Sequence, residues 1–187
     1  MSISLWWVGV GPADEALLDS VASHVEQEFV RPVARWRSDE RPTGTLDARR
    51  GQHSSRELLR WLVNARPADT DRVIGVTDVD LFIPVLTFVF GEAQLDGVAA
   101  VVSTMRLAQG ADRATAGLRL AKECVHELGH TFGLVHCESM TCVMARSASV
   151  RSVDAKNVEL CPVCRVRYRT FQQDGLHVYR EHQNPRR

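Results

Sequence analysis

The stretch His126-Glu127-Leu128-Gly129-His130-Thr131-Phe132-Gly133-Leu134-Val135-His136 sets three imidazoles and a carboxylate in the pattern H-E-x-x-H-x-x-G-x-x-H. Four helical residues turn the chain by about 400°, so His126 and His130 project from one face, one turn apart, and can share a tetrahedral ion. Gly133 is able to take the left-handed conformation that ends a helix, which swings His136 back as a third neutral ligand. Three protein ligands leave one position open. That is the arrangement of a catalytic zinc, on which water is acidified to a pKa of about 7. Glu127, beside the pair but off their axis, is then the general base: it takes a proton from water attacking a peptide carbonyl and returns it to the leaving amine. The competing readings are an amphipathic core helix that happens to carry two histidines, and a structural metal site.

Four of the five cysteines crowd the last third of the chain, as Cys137-x4-Cys142 and Cys161-x2-Cys164. Two such pairs suit a closed four-thiolate zinc site with no room for substrate, so two zinc ions are expected, one catalytic and one structural. Because Cys137 adjoins His136, the second ion would brace the segment that carries the third ligand and Met144. Two disulfides, or thiol exchange at Cys161-Pro162-Val163-Cys164, are the alternatives. Cys124 falls on the helix face away from the histidines and reads as an inert buried thiol.

Met144 follows His136 by eight residues. An extended histidine motif with a downstream methionine resembles the metzincin metalloproteases, whose Met-turn passes beneath the metal ligands; Met140 is the weaker candidate. With the cysteine pairs added, the pattern is similar to that of the archaemetzincins. The likeness extends to DARRGQ (47–52), VTDVDL (76–81), FVFGEA (88–93) and AAVVS (99–103). The resemblance implies a compact mixed α/β domain with a catalytic zinc on His126, His130 and His136 and a structural zinc on Cys137, Cys142, Cys161 and Cys164. It also implies peptidase activity, of aminopeptidase type in some members. In the metzincin arrangement residues 87–92 form the antiparallel edge strand above the cleft, to which an extended peptide adds by main-chain hydrogen bonds. Phe88 and Phe90 point together and read as core. Glu92 is a candidate to capture a substrate amino terminus, against the reading of a solvated strand end.

These groups need a scaffold. Residues 3–10 are β-branched and aromatic and stop at a Gly-x-Gly-Pro turn, the profile of a buried first strand. Pro12 opens a helix in which Leu17, Leu18, Val21, Ala22, Val25 and Phe29 recur at helical spacing. Residues 33–37 read as a second strand, and 38–53 as a long polar surface loop, a candidate lid over the cleft. Ser54 and Glu57 form a capping box ahead of Leu58, Leu59, Leu62 and Val63. Residues 73–79, 87–92 and 98–104 are further strands, the last two joined by the turn at 94–97. Residues 112–132 are the long helix that carries the histidines. Strands alternating with helices and then a hairpin predict an α/β fold: a mixed, mostly parallel sheet with an antiparallel edge strand, an active-site helix and a C-terminal four-cysteine knuckle. One domain spans 1–187, with sheet and helices in 1–110, the active-site helix and third ligand in 111–136, and the Met-turn, cysteine site and basic tail in 137–187.

Composition bounds the partners. The chain of 187 residues is 44% apolar and 25% charged, which excludes global disorder. Lys+Arg 23 balances Asp+Glu 23, so no whole-chain field recruits nucleic acid or anionic membrane. The longest apolar run, 81–90, is about half the ~18 residues of a membrane span, and the N-terminus lacks the basic start of a signal peptide. A peptide or protein substrate, a monomer and a reducing cytoplasm are expected. Asp78 and Asp80 read as loop solvation, Asp154 and Lys156 as a surface or loop-stabilising pair, and His24, His53, His177 and His182 as surface residues. The rival class is a catalytically silent, zinc-stabilised module for protein or nucleic acid, suggested by six arginines in 165–187.

Overall fold

The computed structural model describes residues 2–36 and 40–183, with side chains through Gln173. Along the chain run β1 (Ile3–Trp7), α1 (Glu15–Phe29), β2 (Val33–Trp36), β3 (Leu46–Asp47), β4 (Gln52–Ser54), α2 (Ser55–Ala65) and β5 (Arg72–Thr77). There follow β6 (Leu81–Phe82), β7 (Gly91–Ala93), β8 (Ala99–Ser103), α3 (Thr104–Leu107), α4 (Arg113–Thr131), α5 (Val150–Ala155) and α6 (Pro162–Gln183).

Alternation along the central strands decides the layering. Ile3 and Leu5 of β1 and Ala100 and Val102 of β8 belong to one apolar cluster, which also takes Leu18, Val21 and Val25 of α1 and Leu120, Cys124 and Leu128 of α4. Trp6, Ala99 and Val101 point the other way, onto Leu58, Leu59 and Leu62 of α2. The main sheet has the order β2-β1-β5-β8-β7, parallel throughout except for β7, which pairs antiparallel with β8 at the edge. This is the α/β architecture expected, and it lays α4 beneath β7 and β8 with its histidine end under the open edge.

Local chemistry moves several boundaries. The first helix starts at Glu15 rather than Pro12, because the Asp14 side chain accepts from Leu17 N at 3.1 Å and caps it. The first strand ends at Trp7, since the following backbone turns around Asp78, whose carboxylate takes Val10 N and Gly11 N at 2.7 Å each. Asp78 is thus a turn clamp, and Asp80 is paired with Arg106 at 2.6 Å. Ser54 does cap α2, accepting from Glu57 N, but the Glu57 carboxylate turns to Arg60. The described part of 38–53 is not a lid. It holds β3 and β4, which form a second small sheet with β6, and none of its residues lines the histidine cleft. It props that cleft from behind instead: Arg50 donates to Leu86 O at 2.7 Å and Gln52 to Thr87 O at 2.9 Å.

The edge strand is shorter and later than 87–92. It begins at Gly91, and the segment before it is an irregular loop touching the small sheet through the Leu81–Val89 bridge. Among the described residues no helix is long and apolar enough to cross a membrane. Of the basic tail, the side chains after Gln173, including His177, Tyr179 and His182, lie outside the described residues.

Candidate active site

Helix α4 is capped by Asp112, which accepts from Thr115 N at 2.8 Å, and is buried on all sides from Arg119 to Gly129. His126 and His130 stand on it one turn apart. Gly133, at φ 75°, ends the helix in the left-handed conformation anticipated from its place in the motif, and the chain returns His136 to the pair. Ring centroids are 4.7 Å apart for His126 and His130, 5.4 Å for His126 and His136, and 5.0 Å for His130 and His136.

Backbone carbonyls fix two of the rings. Nδ1 of His126 donates to Val143 O and Nδ1 of His130 to Leu134 O, both at 2.7 Å, which leaves the two Nε2 atoms facing each other at 3.2 Å. Burial holds all three imidazoles below their usual pKa, His126 furthest, so the neutral, metal-ligating form is favoured. One nitrogen from each ring lies within 4.8 Å of the others, a donor set that could hold a metal ion.

Glu127 opens on the same cleft, a cavity of about 670 Å³ walled by Phe88, Phe90, Val135 and Ser147 among others. Its carboxylate makes no hydrogen bond to any described residue, and burial, with the Glu123 carboxylate second, pushes its pKa well up. Space for it comes from Gly91 at the head of β7. A Cβ there would stand 2.7 Å from Glu127 Cγ and 2.9 Å from Oε1. Period two then turns Glu92 to the opposite face of the sheet, where Ser55 Oγ donates to it at 2.5 Å and Arg56 lies 3.9 Å away. Glu92 is therefore held by α2, and the geometry does not favour it as an anchor for a substrate amine.

Met144 is fully buried beneath α4, and Gly129, between the two helical histidines, gives its sulfur room: any side chain at 129 would collide with it. Met140 is exposed. The Met144 segment is tied at both ends. Its carbonyl accepts from Cys137 N at 2.9 Å, and Cys137, Cys142, Cys161 and Cys164 bring their sulfurs within 4.8 Å of one another as free thiols. A backbone hydrogen bond from Cys164 leads in pulling the Cys161 thiol down to about 7, whereas burial pushes the thiols of Cys142 and Cys164 up. Cys124 is buried and its thiol pKa is pushed well up, as expected of an inert packing residue.

Two site features escape the motif. Lys156, read above with Asp154 as a surface or loop-stabilising pair, is 2% exposed and pairs with the equally buried Glu123 at 2.8 Å. Asp154 is not its partner but binds Arg119 through two oxygens at 2.7 and 2.8 Å. Lysine is so seldom buried that sequence alone favours the surface. Glu123, one turn before Glu127, is legible only as a repeat of carboxylates four apart on one helix.

Comparison with known proteins agrees with this geometry. The profile of peptidase family M54 matches residues 26–170. An archaemetzincin of Methanopyrus kandleri is 38% identical over 153 residues, covering 82% of this chain and 86% of that one. The crystal structure of archaemetzincin from the same organism superposes with a TM-score of 0.84 at 36% identity, over 92% of this chain and 96% of that one. A zinc-dependent peptidase from Methanocorpusculum labreanum matches with a TM-score of 0.77 at 29% identity, over 89% and 100%. With the family profile spanning both the histidine and the cysteine clusters, the chain belongs to peptidase family M54, the family of the archaemetzincins, and is a metallopeptidase.

Proposed function

We propose that this chain hydrolyses peptide bonds with a catalytic zinc on His126, His130 and His136, a structural zinc on Cys137, Cys142, Cys161 and Cys164, and Glu127 as general base. The observation that carries the reading is the meeting, in one cleft, of three imidazoles held toward the neutral form, two of them oriented by backbone carbonyls, with a carboxylate that has no hydrogen-bond partner among the described residues. The relative from Methanocorpusculum labreanum, a zinc-dependent peptidase, supports zinc as the ion. Zinc bound there supplies a Lewis acid that acidifies water and polarises a carbonyl. Glu127 removes the proton of the attacking water and delivers it to the departing amine. Among the described residues the outer edge of β7 has no strand partner, so an extended peptide adds to it by main-chain hydrogen bonds, its carbonyl over the histidines.

The unit that does this is one domain: the scaffold of 1–110, the helix and third ligand of 111–136, and the Met-turn and cysteine knuckle of 137–187. A four-thiolate site is best kept in a reducing compartment, so we assign the chain to the cytoplasm, acting as a monomer.

The test is mass-spectrometric mapping of a mixed peptide library incubated with zinc-loaded and metal-stripped protein. Zinc-dependent products are expected, and their ends separate trimming of amino termini, as in an aminopeptidase, from internal cuts. A zinc-loaded protein that leaves the library intact would overturn the reading. Gly91 gives a finer check. Gly91→Ala pushes on Glu127 and on the Val101 carbonyl of β8, 2.7 Å away, without touching a ligand, so kcat is expected to fall about a hundredfold, the cost of roughly 1 Å of misplacement. Zinc content should stay that of the parent, and an unchanged kcat would mean Glu127 does not act from its present position.

A further inference from the structure

The cleft ends in an acceptor that no group among the described residues satisfies. Lys156 Nζ spends its three donors on Glu123 Oε1 at 2.8 Å, Ala145 O at 3.2 Å and Ser147 Oγ at 2.6 Å. The Ser147 hydroxyl in turn donates to Glu123 Oε1 at 2.9 Å. Two donors therefore converge on one oxygen of Glu123, and the other, Oε2, has no hydrogen-bond partner among the described residues although the side chain is 2% exposed. It is not among the sealed polar atoms of the interior, and Glu123 lines the same cavity as His126 and Glu127, so the free oxygen is open to that cavity.

A carboxylate oxygen in a largely dehydrated pocket calls for a donor, and a cationic donor answers it best. Its place sets the donor's reach. Glu123 precedes Glu127 by four residues, which is about 6 Å along the helix axis, roughly the span of an extended lysine side chain. The walls suit the stem of such a chain, since Phe88 and Phe90 present aromatic surface to the cavity. Among the described residues the one arginine on the rim, Arg146, is exposed and lies on the His136 side, where its charge is felt by that ring.

Resting on the zinc-peptidase reading, we infer that Glu123 Oε2, held open by Lys156 and Ser147, is a specificity determinant that selects a lysine or arginine side chain adjoining the scissile bond. The pair turned away from water by α5 and the Met-turn segment is then a recognition element as well as a brace.

Binding to zinc-loaded protein tests this without turnover. Acetohydroxamate is the probe for the metal alone; Nα-acyl amino-acid hydroxamates and succinyl hydroxamates carry lysine or norleucine on either side of the bond position. By calorimetry, lysine is expected to bind about tenfold more tightly than norleucine in one of the two series, the scale of one charge-assisted hydrogen bond. Glu123→Leu/Lys156→Met removes both buried charges together, the exchange that well-packed proteins tolerate. In that double variant the lysine preference is expected to vanish while acetohydroxamate still binds. Equal affinity for lysine and norleucine in both series, or a preference that survives in the double variant, would overturn the inference and leave the zinc reading intact. Failure of acetohydroxamate to bind the parent would remove both.

Discussion

Glu127→Gln is expected to lower kcat roughly 10²–10⁴-fold, the usual contribution of a positioned general base, while zinc content and melting temperature stay those of the parent. The substitution keeps the volume that fits against Gly91 and removes only the ability to accept a proton. Because the carboxylate has no hydrogen-bond partner among the described residues, losing its charge strands no donor, and the fold has little reason to respond. His126 and His130 keep their orientation, since their Nδ1 atoms are held by the Val143 and Leu134 carbonyls rather than by Glu127. Steady-state kinetics beside atomic-absorption measurement of zinc decide the matter. Turnover retained at full zinc loading would move the base to another carboxylate of the cleft wall, of which Glu123 is the one on the same helix.

What made this site readable from sequence is its local character. His126, Glu127, His130, Gly133 and His136 are placed by helix pitch and one left-handed residue, both of which spacing encodes directly. The two cysteine pairs are likewise short-range objects brought together once. Gly91 carries no such mark. It matters because β7 passes over Glu127, and where β7 begins is decided by tertiary contacts, chiefly the Arg50 and Gln52 bonds to the carbonyls of Leu86 and Thr87. Periodicity runs the strand back to Thr87 because Phe88 and Phe90 alternate; their rings do meet, 5.3 Å apart, but from a loop. The pairing of Lys156 with Asp154 fails for the opposite reason: average burial preferences set a lysine at the surface, and here a buried carboxylate partner overrides them.

The largest change in stability is expected at the other cluster. Cys164→Ser removes one of four thiolates, so the protein should carry one zinc equivalent fewer and melt lower. If free zinc stands about a thousandfold above the dissociation constant of the intact site, the lost linkage is about 4 kcal/mol, or about 8–16 °C at 2–4 °C per kcal/mol for a chain of this size. The effect should travel to the histidines by a traceable route. Cys142 is followed by Val143, whose carbonyl orients His126, and by Met144, whose carbonyl accepts from Cys137 N next to His136. Loosening that loop frees the carbonyl that holds the His126 ring, and loss of such an outer partner weakens metal affinity about 10–100-fold. Zinc titration against a competing chelator, with melting curves on the same samples, measures both effects. Cys124→Ala serves as the comparison, since Cys124 is as deeply buried but packs in the apolar core, and it should keep the parent's zinc content. A Cys164→Ser protein that holds as much zinc as the parent and melts at the same temperature would show that the four sulfurs gather without a metal to hold them.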